Sequence, residues 1–136
     1  MARRKLSHGG TLVLDSEGLS KMLADDEQVV ALVVEACSRG MEVVISALTI
    51  IEVVHARTNK SRLNWVLSGL RVVAVGDEEA RAASKLLIAG LHGRKYAVDA
   101  AVAEAALRQH RPVVMLTSDT DDMVKPCGDR VRLVAV

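Results

Sequence analysis

The most prominent pattern in this chain is a set of five short runs of Val, Ile, Leu and Ala in which consecutive positions are apolar. Strands buried on both faces have this pattern, whereas a strand with one solvent face alternates apolar and polar side chains. The pattern predicts strands at residues 11–14, 42–46, 71–75, 113–117 and 131–136.

Between these runs, apolar residues recur every three or four positions, which is typical of helices with one buried face. Helices are predicted just after Ser16 and over residues 27–38, 48–57, 60–69, 77–91 and 97–109. Ser16 and Asp77 are predicted to cap the helices that follow them, and Gly40 suits the end of the second helix. Short strands that alternate with helices indicate an α/β fold of three layers, in which helices flank a mainly parallel five-stranded sheet.

The length of 136 residues fits a single domain. Residues 1–10 lack periodicity and contain two adjacent glycines, so we predict a flexible leader there and one domain over residues 11–136. Cys37 and Cys127 have no metal-type spacing and no export signal precedes them, which predicts reduced thiols in a cytoplasmic protein. No apolar segment approaches the roughly 20 residues of a membrane span, so no membrane partner is expected.

The charge balance does not by itself indicate a partner. Lys and Arg total 18, Asp and Glu total 17, and the formal net charge is +1. A nucleic-acid-binding domain often has a basic excess, which this chain lacks overall. With one Trp, one Tyr and no Phe, recognition by stacking bases on several aromatic side chains is poorly supported.

Four acidic residues occupy positions that the predicted fold would bring together. Asp15 ends the first strand, and Asp119 follows the fourth by two residues. Glu52 lies in the helix after the second strand, and Asp99 lies in the first turn of the Ala-rich helix. Because ligands of open α/β sheets bind beyond the carboxyl ends of the strands, we expect these acids to share one edge of the sheet.

Asp99 is the unusual acid of its helix. Val102, Ala103 and Ala106 follow it at offsets of three, four and seven, so the four residues share a face that must be buried. A carboxylate on an apolar face is costly unless something positive compensates its charge. Glu104 lies about 140° around the helix from Asp99 and is predicted to face solvent.

Glu52 is surrounded by apolar neighbours, Ile50, Ile51, Val53 and Val54. This composition predicts that most of the helix is buried, and an isolated buried carboxylate is rare.

Each acid also has an ordinary structural interpretation. Asp15 and Asp99 could cap helices, Glu52 could pair with a buried Arg, and Asp119 could belong to an acidic turn with Asp121 and Asp122. These interpretations would all have to hold together to remove the predicted site.

Clustered acids would require a cation. Two like charges about 4 Å apart repel by roughly 4 kcal/mol at an effective dielectric constant near 20. Oxygen ligands without His or Cys favour Mg²⁺, with Mn²⁺ as the next choice. Such a site typically hydrolyses a phosphodiester with a metal-activated water.

The acids also stand in segments that resemble those of the PIN-domain family. Residues 12–16 (LVLDS) resemble its first strand and first acid, and residues 46–53 (SALTIIEV) resemble the segment with its second acid. Residues 92–103 (HGRKYAVDAAVA) and 116–119 (LTSD) are similar to the segments with the third and fourth acids. The four matches occur in order from residue 11 to the end of the chain.

The size most resembles the VapC-type toxins of bacterial toxin–antitoxin pairs. This resemblance implies a Mg²⁺-dependent endoribonuclease that cuts RNA, forms a homodimer and is neutralised by a small antitoxin protein. In that family the acids matching Asp15 and Asp99 are the usual Mg²⁺ ligands, and those matching Glu52 and Asp119 complete the pocket. Asp121 and Asp122 are expected to lie in an exposed turn rather than to add a fifth carboxylate.

Polar residues beside the acids have two open interpretations. Ser16, Thr49 and Ser118 either orient the acids or a metal-bound water, or cap helices. His92, Arg94 and Lys95 either contact RNA phosphates or form a solvated loop, and the same holds for the basic cluster of Arg57, Lys60 and Arg62.

Two other functions remain open at this point. Haloacid dehalogenase-like phosphatases also begin with a strand that ends in Asp, but they expect a second Asp two residues later, where this chain has Glu17. A PIN-like scaffold that binds RNA or a partner without cutting is the other alternative, and the presence of all four acids argues against it.

Overall fold

The computed structural model describes residues 6–90 and 93–136, except for the side chain of Arg94. Five strands form one sheet in the order β3-β2-β1-β4-β5, and every pairing between neighbours is parallel. The predicted five-stranded α/β sheet is therefore confirmed. The strands are β1 Thr11–Leu14, β2 Glu42–Ser46, β3 Arg71–Val73, β4 Val113–Thr117 and β5 Val131–Ala135.

Seven α-helices and one short 3₁₀ helix, Arg94–Tyr96, occur in the described residues. Within this part of the chain, no helix combines the length and hydropathy needed to cross a bilayer. The helices are α1 Ser16–Leu23, α2 Glu27–Ser38, α3 Ala47–Val53, α4 Lys60–Ser68, α5 Asp77–Gly90, α6 Ala97–Leu107 and α7 Thr120–Cys127.

The core lies on both faces of the sheet. Leu12 and Leu14 belong to a cluster with α1 and α2, whereas Val13, between them, belongs to a cluster with α6 and α7. All three side chains are fully buried, and successive strand residues point to opposite faces. Full burial of each such side chain contributes about 1.5–3 kcal/mol, which fixes both the strand and its register.

The helix α7 was not predicted, because its acidic start and its proline are typical of a turn. It covers Thr120–Cys127 with Pro126 in its last turn. Only Met123, Pro126 and Cys127 are buried in it, which is too short an apolar pattern to reveal a helix. Three other elements end two or more residues earlier than predicted: α3 at Val53, β3 at Val73 and α6 at Leu107.

Part of the predicted flexible leader is packed against the domain. Leu6 is 5% exposed and belongs to the core, and its carbonyl oxygen accepts a hydrogen bond from the Arg39 guanidinium at 3.0 Å. The backbone N–H of Gly9 donates to the carbonyl of Arg39 at 2.8 Å. Leu6 and Gly9 of the predicted leader therefore contact the domain, while residues 1–5 lie outside the described part of the chain.

Both predicted helix caps shift by one residue. Asp15 rather than Ser16 caps α1, since its carboxylate accepts from the backbone N–H of Gly18. At the start of α5 the Glu79 carboxylate accepts from the backbone N–H of Gly76 at 2.9 Å, so Asp77 lies in the first helical turn. At the start of each helix, two adjacent residues could have taken the cap position. In the structure this position falls on the residue just before the first helical turn.

Candidate active site

The site lies where the order of strands reverses. From β1 the chain adds β2 and β3 on one side of the sheet, and β4 and β5 on the other. Leu14 of β1 is in register with Leu116 of β4, so the ends of these central strands are adjacent. A crevice at the carboxyl ends of two such strands is the usual ligand site of an open α/β sheet.

Asp15 is held at this reversal point. It is 5% exposed, and its Oδ1 accepts a hydrogen bond from the Gly18 backbone at 2.9 Å. Burial raises its pKa above the ordinary value, while hydrogen bonds from the Thr117 side chain and from the backbone of Gly18 and Glu17 lower it in part. Asp15 thus caps α1 through one carboxylate oxygen, as one interpretation of the sequence expected. The same hydrogen bond fixes the acid at the end of β1.

Thr117 connects two of the acids. Its hydroxyl accepts a hydrogen bond from the Asp119 backbone N–H at 2.9 Å, and it hydrogen-bonds to the Asp15 carboxylate. The side chain is fully buried. Sequence reasoning singled out the neighbour Ser118, which is exposed. The sequence did contain a signal for Thr117: it is the last residue of a buried strand and lies two positions before an acid. A buried hydroxyl at such a position needs a hydrogen-bond partner.

Asp99 is the electrostatic centre of the site. Its pKa is raised from 3.8 to about 6, first by burial and then by the negative charges of Glu52, Asp119, Asp15 and Asp122. Charges act on one another in this way only over short separations. The four predicted acids are therefore brought together, at an edge that we call the acidic edge.

The prediction for the α6 face is confirmed, since Val102, Ala103 and Ala106 are all buried. The capping interpretation of Asp99 is not observed, because α6 begins without a side-chain cap. Glu104, however, does not face solvent: it is 8% exposed and pairs with Arg108, Nε to Oε2, at 2.9 Å. The helix is buried nearly all round, so facing away from Asp99 did not mean facing water.

The prediction that α3 is mostly buried is wrong. Glu52 is exposed, Ile51 is 74% exposed, and Thr49 is the only buried residue of this helix. Glu52 nonetheless lies near enough to raise the pKa of Asp99. Of its apolar neighbours, Ile50 and Val53 pack against the core from half-buried positions, whereas Ile51 and Val54 lie on an uncovered surface.

The acidic edge contains a fifth carboxylate. Asp122, on α7, is half-buried and acts on Asp99, and it also pairs with Lys125 at 3.6 Å. Asp119 and Asp121 are exposed, and Asp121 is not among the charges that raise the pKa of Asp99. The expected exposed turn is a helix, and helical geometry directs Asp122 toward the site.

The supporting candidates differ in their surroundings. The Thr49 hydroxyl is buried and has no hydrogen-bond partner among the described residues. Ser16 is half-buried in the first turn of α1. The two serines form no side-chain hydrogen bond in the described part of the structure, so Thr49 is the supporting residue with an unmet hydrogen bond.

The basic candidates do not converge on the acids in the part that is described. Lys95 is exposed and lies over the Tyr96 ring at 4.9 Å, while His92 and the Arg94 side chain lie outside the described residues. Arg62 donates to the carbonyl of Met22 at 3.1 Å, which gives that member of the basic cluster a structural role.

The donor set fits a hard divalent cation. Among the described side chains, no Lys or Arg forms an ion pair with Asp15, Glu52, Asp99 or Asp119. No three acidic, His or Cys side chains of residues 6–90 and 93–136 converge closely enough to enclose an ion alone. Mg²⁺ usually keeps several waters and uses one or two carboxylates plus substrate phosphate, so an open arrangement of acids suits it.

Comparisons with known proteins agree with this architecture. No protein-family model matches the sequence, and no curated protein matches it. A solved structure of the VapBC2 complex from Rickettsia felis, bound to a DNA fragment from its promoter, matches with a TM-score of 0.67 and 14% identity, over 92% of this chain and 98% of that one.

Two further solved structures are similar. A toxin–antitoxin complex from Klebsiella pneumoniae matches with a TM-score of 0.68 and 18% identity, over 89% of this chain and 95% of the other. FitAcB from Neisseria gonorrhoeae matches with a TM-score of 0.63 and 19% identity, over 90% and 96%. The parallel sheet, its strand order and these likenesses together show that the chain has the PIN-like α/β fold of these structures.

Proposed function

We propose that the protein is a Mg²⁺-dependent endoribonuclease of the PIN-toxin type. One observation carries the proposal: the pKa of Asp99 is raised to about 6, first by burial and then by the negative charges of four other carboxylates. Such repulsion destabilises the protein unless a cation binds there, and a cation held by carboxylates also attracts phosphate.

Each acid has a defined part in this proposal. Asp15 and Asp99 would hold Mg²⁺, or Mn²⁺ in its place, with Glu52 and Asp119 completing the pocket. When bound, the ion would supply an acidified water and would stabilise the leaving oxygen of the phosphodiester. Asp15 is kept in position by Gly18 and Thr117, and the same threonine fixes the backbone of Asp119. Preformed ligand positions reduce the ordering required when metal and RNA bind.

The proposal includes a small antitoxin protein that neutralises the nuclease, homodimerisation, and action in the cytoplasm. The support is the likeness to chains of toxin–antitoxin complexes. Ile51 is 74% exposed and Val54 is 39% exposed on either side of Glu52. A protein that covered these apolar side chains would also cover the acidic edge.

The proposal is tested by RNA cleavage with the purified protein. We expect Mg²⁺-dependent cleavage of a mixed RNA substrate that stops when EDTA is added. Asp99→Asn is nearly isosteric and should abolish cleavage while the protein stays folded. Asp77→Asn, the same change at an exposed acid of α5, is the matched control and should cleave normally. Full activity of the Asp99→Asn protein would overturn the proposed site.

The same preparation separates the alternatives. A phosphatase would release phosphate from a monoester with Mg²⁺ and leave RNA intact, although Glu17 lies 4.0 Å from Lys21 at the position where that family expects an Asp. A non-cleaving scaffold would bind RNA equally well with EDTA and with Asp99→Asn. Either result would replace the nuclease proposal.

A further inference from the structure

Three arginines converge at the edge of the sheet opposite the acidic edge. Arg111 immediately precedes Pro112 and β4, Arg130 precedes β5, and Arg132 is the second residue of β5. Because β4 and β5 are parallel neighbours, their amino ends lie together. Here they line an open cleft of about 600 Å³, the arginine cleft, formed by Arg111, Pro112, Val113, Asp129, Arg130 and Arg132.

The arginine cleft has a local excess of positive charge. It holds three guanidinium groups and one carboxylate, in a protein whose formal net charge is only +1. None of the three arginines forms an ion pair or a side-chain hydrogen bond within residues 6–90 and 93–136. Neighbouring guanidinium groups repel one another, and a bound anion would remove that repulsion.

The backbone that carries these arginines is fixed. The carbonyl of Pro112 accepts from the Thr11 backbone N–H at 2.9 Å, which ties the segment after Arg111 to β1. Arg132 is in register with Val114, and the backbone N–H of Arg130 donates to the carbonyl of Cys127 at 3.3 Å. Little backbone conformational entropy would therefore be lost when a ligand binds.

We infer that the arginine cleft binds the phosphodiester backbone of single-stranded RNA, an inference that rests on the proposed nuclease function. The planar guanidinium group of Arg matches phosphate oxygens with paired hydrogen bonds. The cleft is open and exceeds the size of one phosphate, and its three arginines are spread over the amino ends of two neighbouring strands, which suits a chain of phosphates. The contacts would be independent of sequence, because they do not reach base edges.

The distance between the two edges sets the length of RNA required. β4 has five residues, which span roughly 17 Å at about 3.3 Å per residue. A stacked strand places one phosphate per roughly 3.4 Å, so RNA that runs over the outside of the domain would need at least about five nucleotides to extend from the acidic edge to the arginine cleft. Longer RNAs would reach both edges, whereas shorter ones would reach only one.

The test measures binding without cleavage. A fluorescent single-stranded RNA of about 20 nucleotides is titrated in EDTA with the triple variant Arg111→Gln, Arg130→Gln, Arg132→Gln. Removing three phosphate contacts should weaken binding about tenfold or more and reduce the slope of log Kd against log salt by about 2. The matched control, Lys21→Gln, Arg81→Gln, Lys85→Gln, removes the same charge from α1 and α5 and should bind like the wild type.

Three results would overturn the inference: unchanged binding by the cleft variant, equal weakening by the control variant, or tighter binding to duplex DNA that the same cleft variant loses. If the triple variant does not fold, Arg130→Gln and Arg132→Gln are measured singly, and each should reduce the salt slope by about 0.7. Because EDTA is present throughout, the outcome is independent of whether the acidic edge cleaves RNA.

Discussion

The hydroxyl of Thr117 accepts a hydrogen bond from the backbone N–H of Asp119 at 2.9 Å, and it also hydrogen-bonds to Asp15. One buried side chain at the end of β4 thus links the acid at the end of β1 to the acid after β4. The two acids are 104 positions apart in the sequence, yet a single hydroxyl is hydrogen-bonded to both residues. Thr117 is therefore a positioning residue for the proposed metal site.

Thr117→Val should reduce RNA cleavage about 10- to 100-fold, the usual effect of losing a partner that orients a metal ligand. Valine has nearly the same shape and suits a strand, so the fold should persist, with a loss of about 1 kcal/mol for the missing hydrogen bond. Thr117→Ser retains the hydroxyl and should restore most of the activity. The measurement is kcat for RNA cleavage at saturating Mg²⁺.

Thr11→Val provides the matched control for this prediction. Thr11 is also a buried strand threonine, and its hydroxyl donates to the carbonyl of His110 at 2.9 Å, at the amino end of β1. The control should lose similar stability but retain cleavage. Equal loss of activity in both variants would mean that Thr117 acts only through general stability.

Asp99→Asn should stabilise the metal-free protein above pH 6. The native pKa of Asp99 is about 6, against an ordinary value of 3.8, so between these values the native state holds a proton that the unfolded state has lost. The contribution of Asp99 to the free energy of unfolding is therefore greatest below pH 3.8, and it is lost as the pH rises through about 6. The loss is at most about 3 kcal/mol, and solvent screening at this half-exposed group makes it smaller.

Thermal unfolding in EDTA at pH 7.5 and pH 4 checks this prediction. The melting temperature of Asp99→Asn should exceed that of the wild type at pH 7.5, and the difference should disappear at pH 4, where Asp99 is already neutral. Asp77→Asn should show no such pH-dependent gain. A metal-free Asp99→Asn protein that melts below the wild type at pH 7.5 would show that the acids do not repel one another as described.

Mg²⁺ should stabilise the wild-type protein in a pH-dependent way. A ligand that binds only the native state adds about 2.7 kcal/mol at a concentration 100 times its Kd. Because Mg²⁺ must compete with the proton on Asp99, its effect should be larger at pH 7.5 than at pH 5. The shift in melting temperature is measured against NaCl of equal ionic strength. An equal shift with NaCl would indicate screening of surface charge instead of a bound ion.

Gly10 should tolerate alanine much less well than Gly40 does. Both glycines have a positive φ, 83° and 75°, so a side chain at either position is strained by about 1–2 kcal/mol. A Cβ at Gly10 would additionally meet the backbone oxygen of Pro112, whereas a Cβ at Gly40 meets no atom within 4 Å. Gly10→Ala should therefore lower the free energy of unfolding by several kcal/mol in urea titration, and Gly40→Ala by only about 1. Equal losses would contradict the close approach of β1 and Pro112.

Local patterns predicted most of the regular elements. β1, β2 and β4 have the bounds that their apolar runs predicted, and α2 covers Glu27–Ser38 as its periodicity indicated. Each of these elements carries its signal within its own residues, since burial on both faces requires an unbroken apolar run and Gly40 ends α2 with a positive φ.

The errors came from contacts between distant segments. Apolar neighbours of Glu52 suggested a buried helix, but Ile51 is exposed because no other element of the described chain covers that surface. Glu104 looked solvent-facing, but α6 is packed on nearly every side and Arg108 neutralises the acid. A helical wheel shows which residues share a face, and it does not show how many faces are covered.

The sequence by itself determined the strand positions, the α/β class and the four acids that follow or accompany strand ends, because apolar runs and acidic residues are local properties of the chain. Only the tertiary structure decided that Thr117 joins Asp15 to Asp119, that Asp122 completes the acidic edge, and that Arg111, Arg130 and Arg132 share a cleft. The physical reason is that the order and register of parallel strands follow from burial between segments far apart in the chain. Side chains that no local pattern relates become neighbours once β1, β4 and β5 pair.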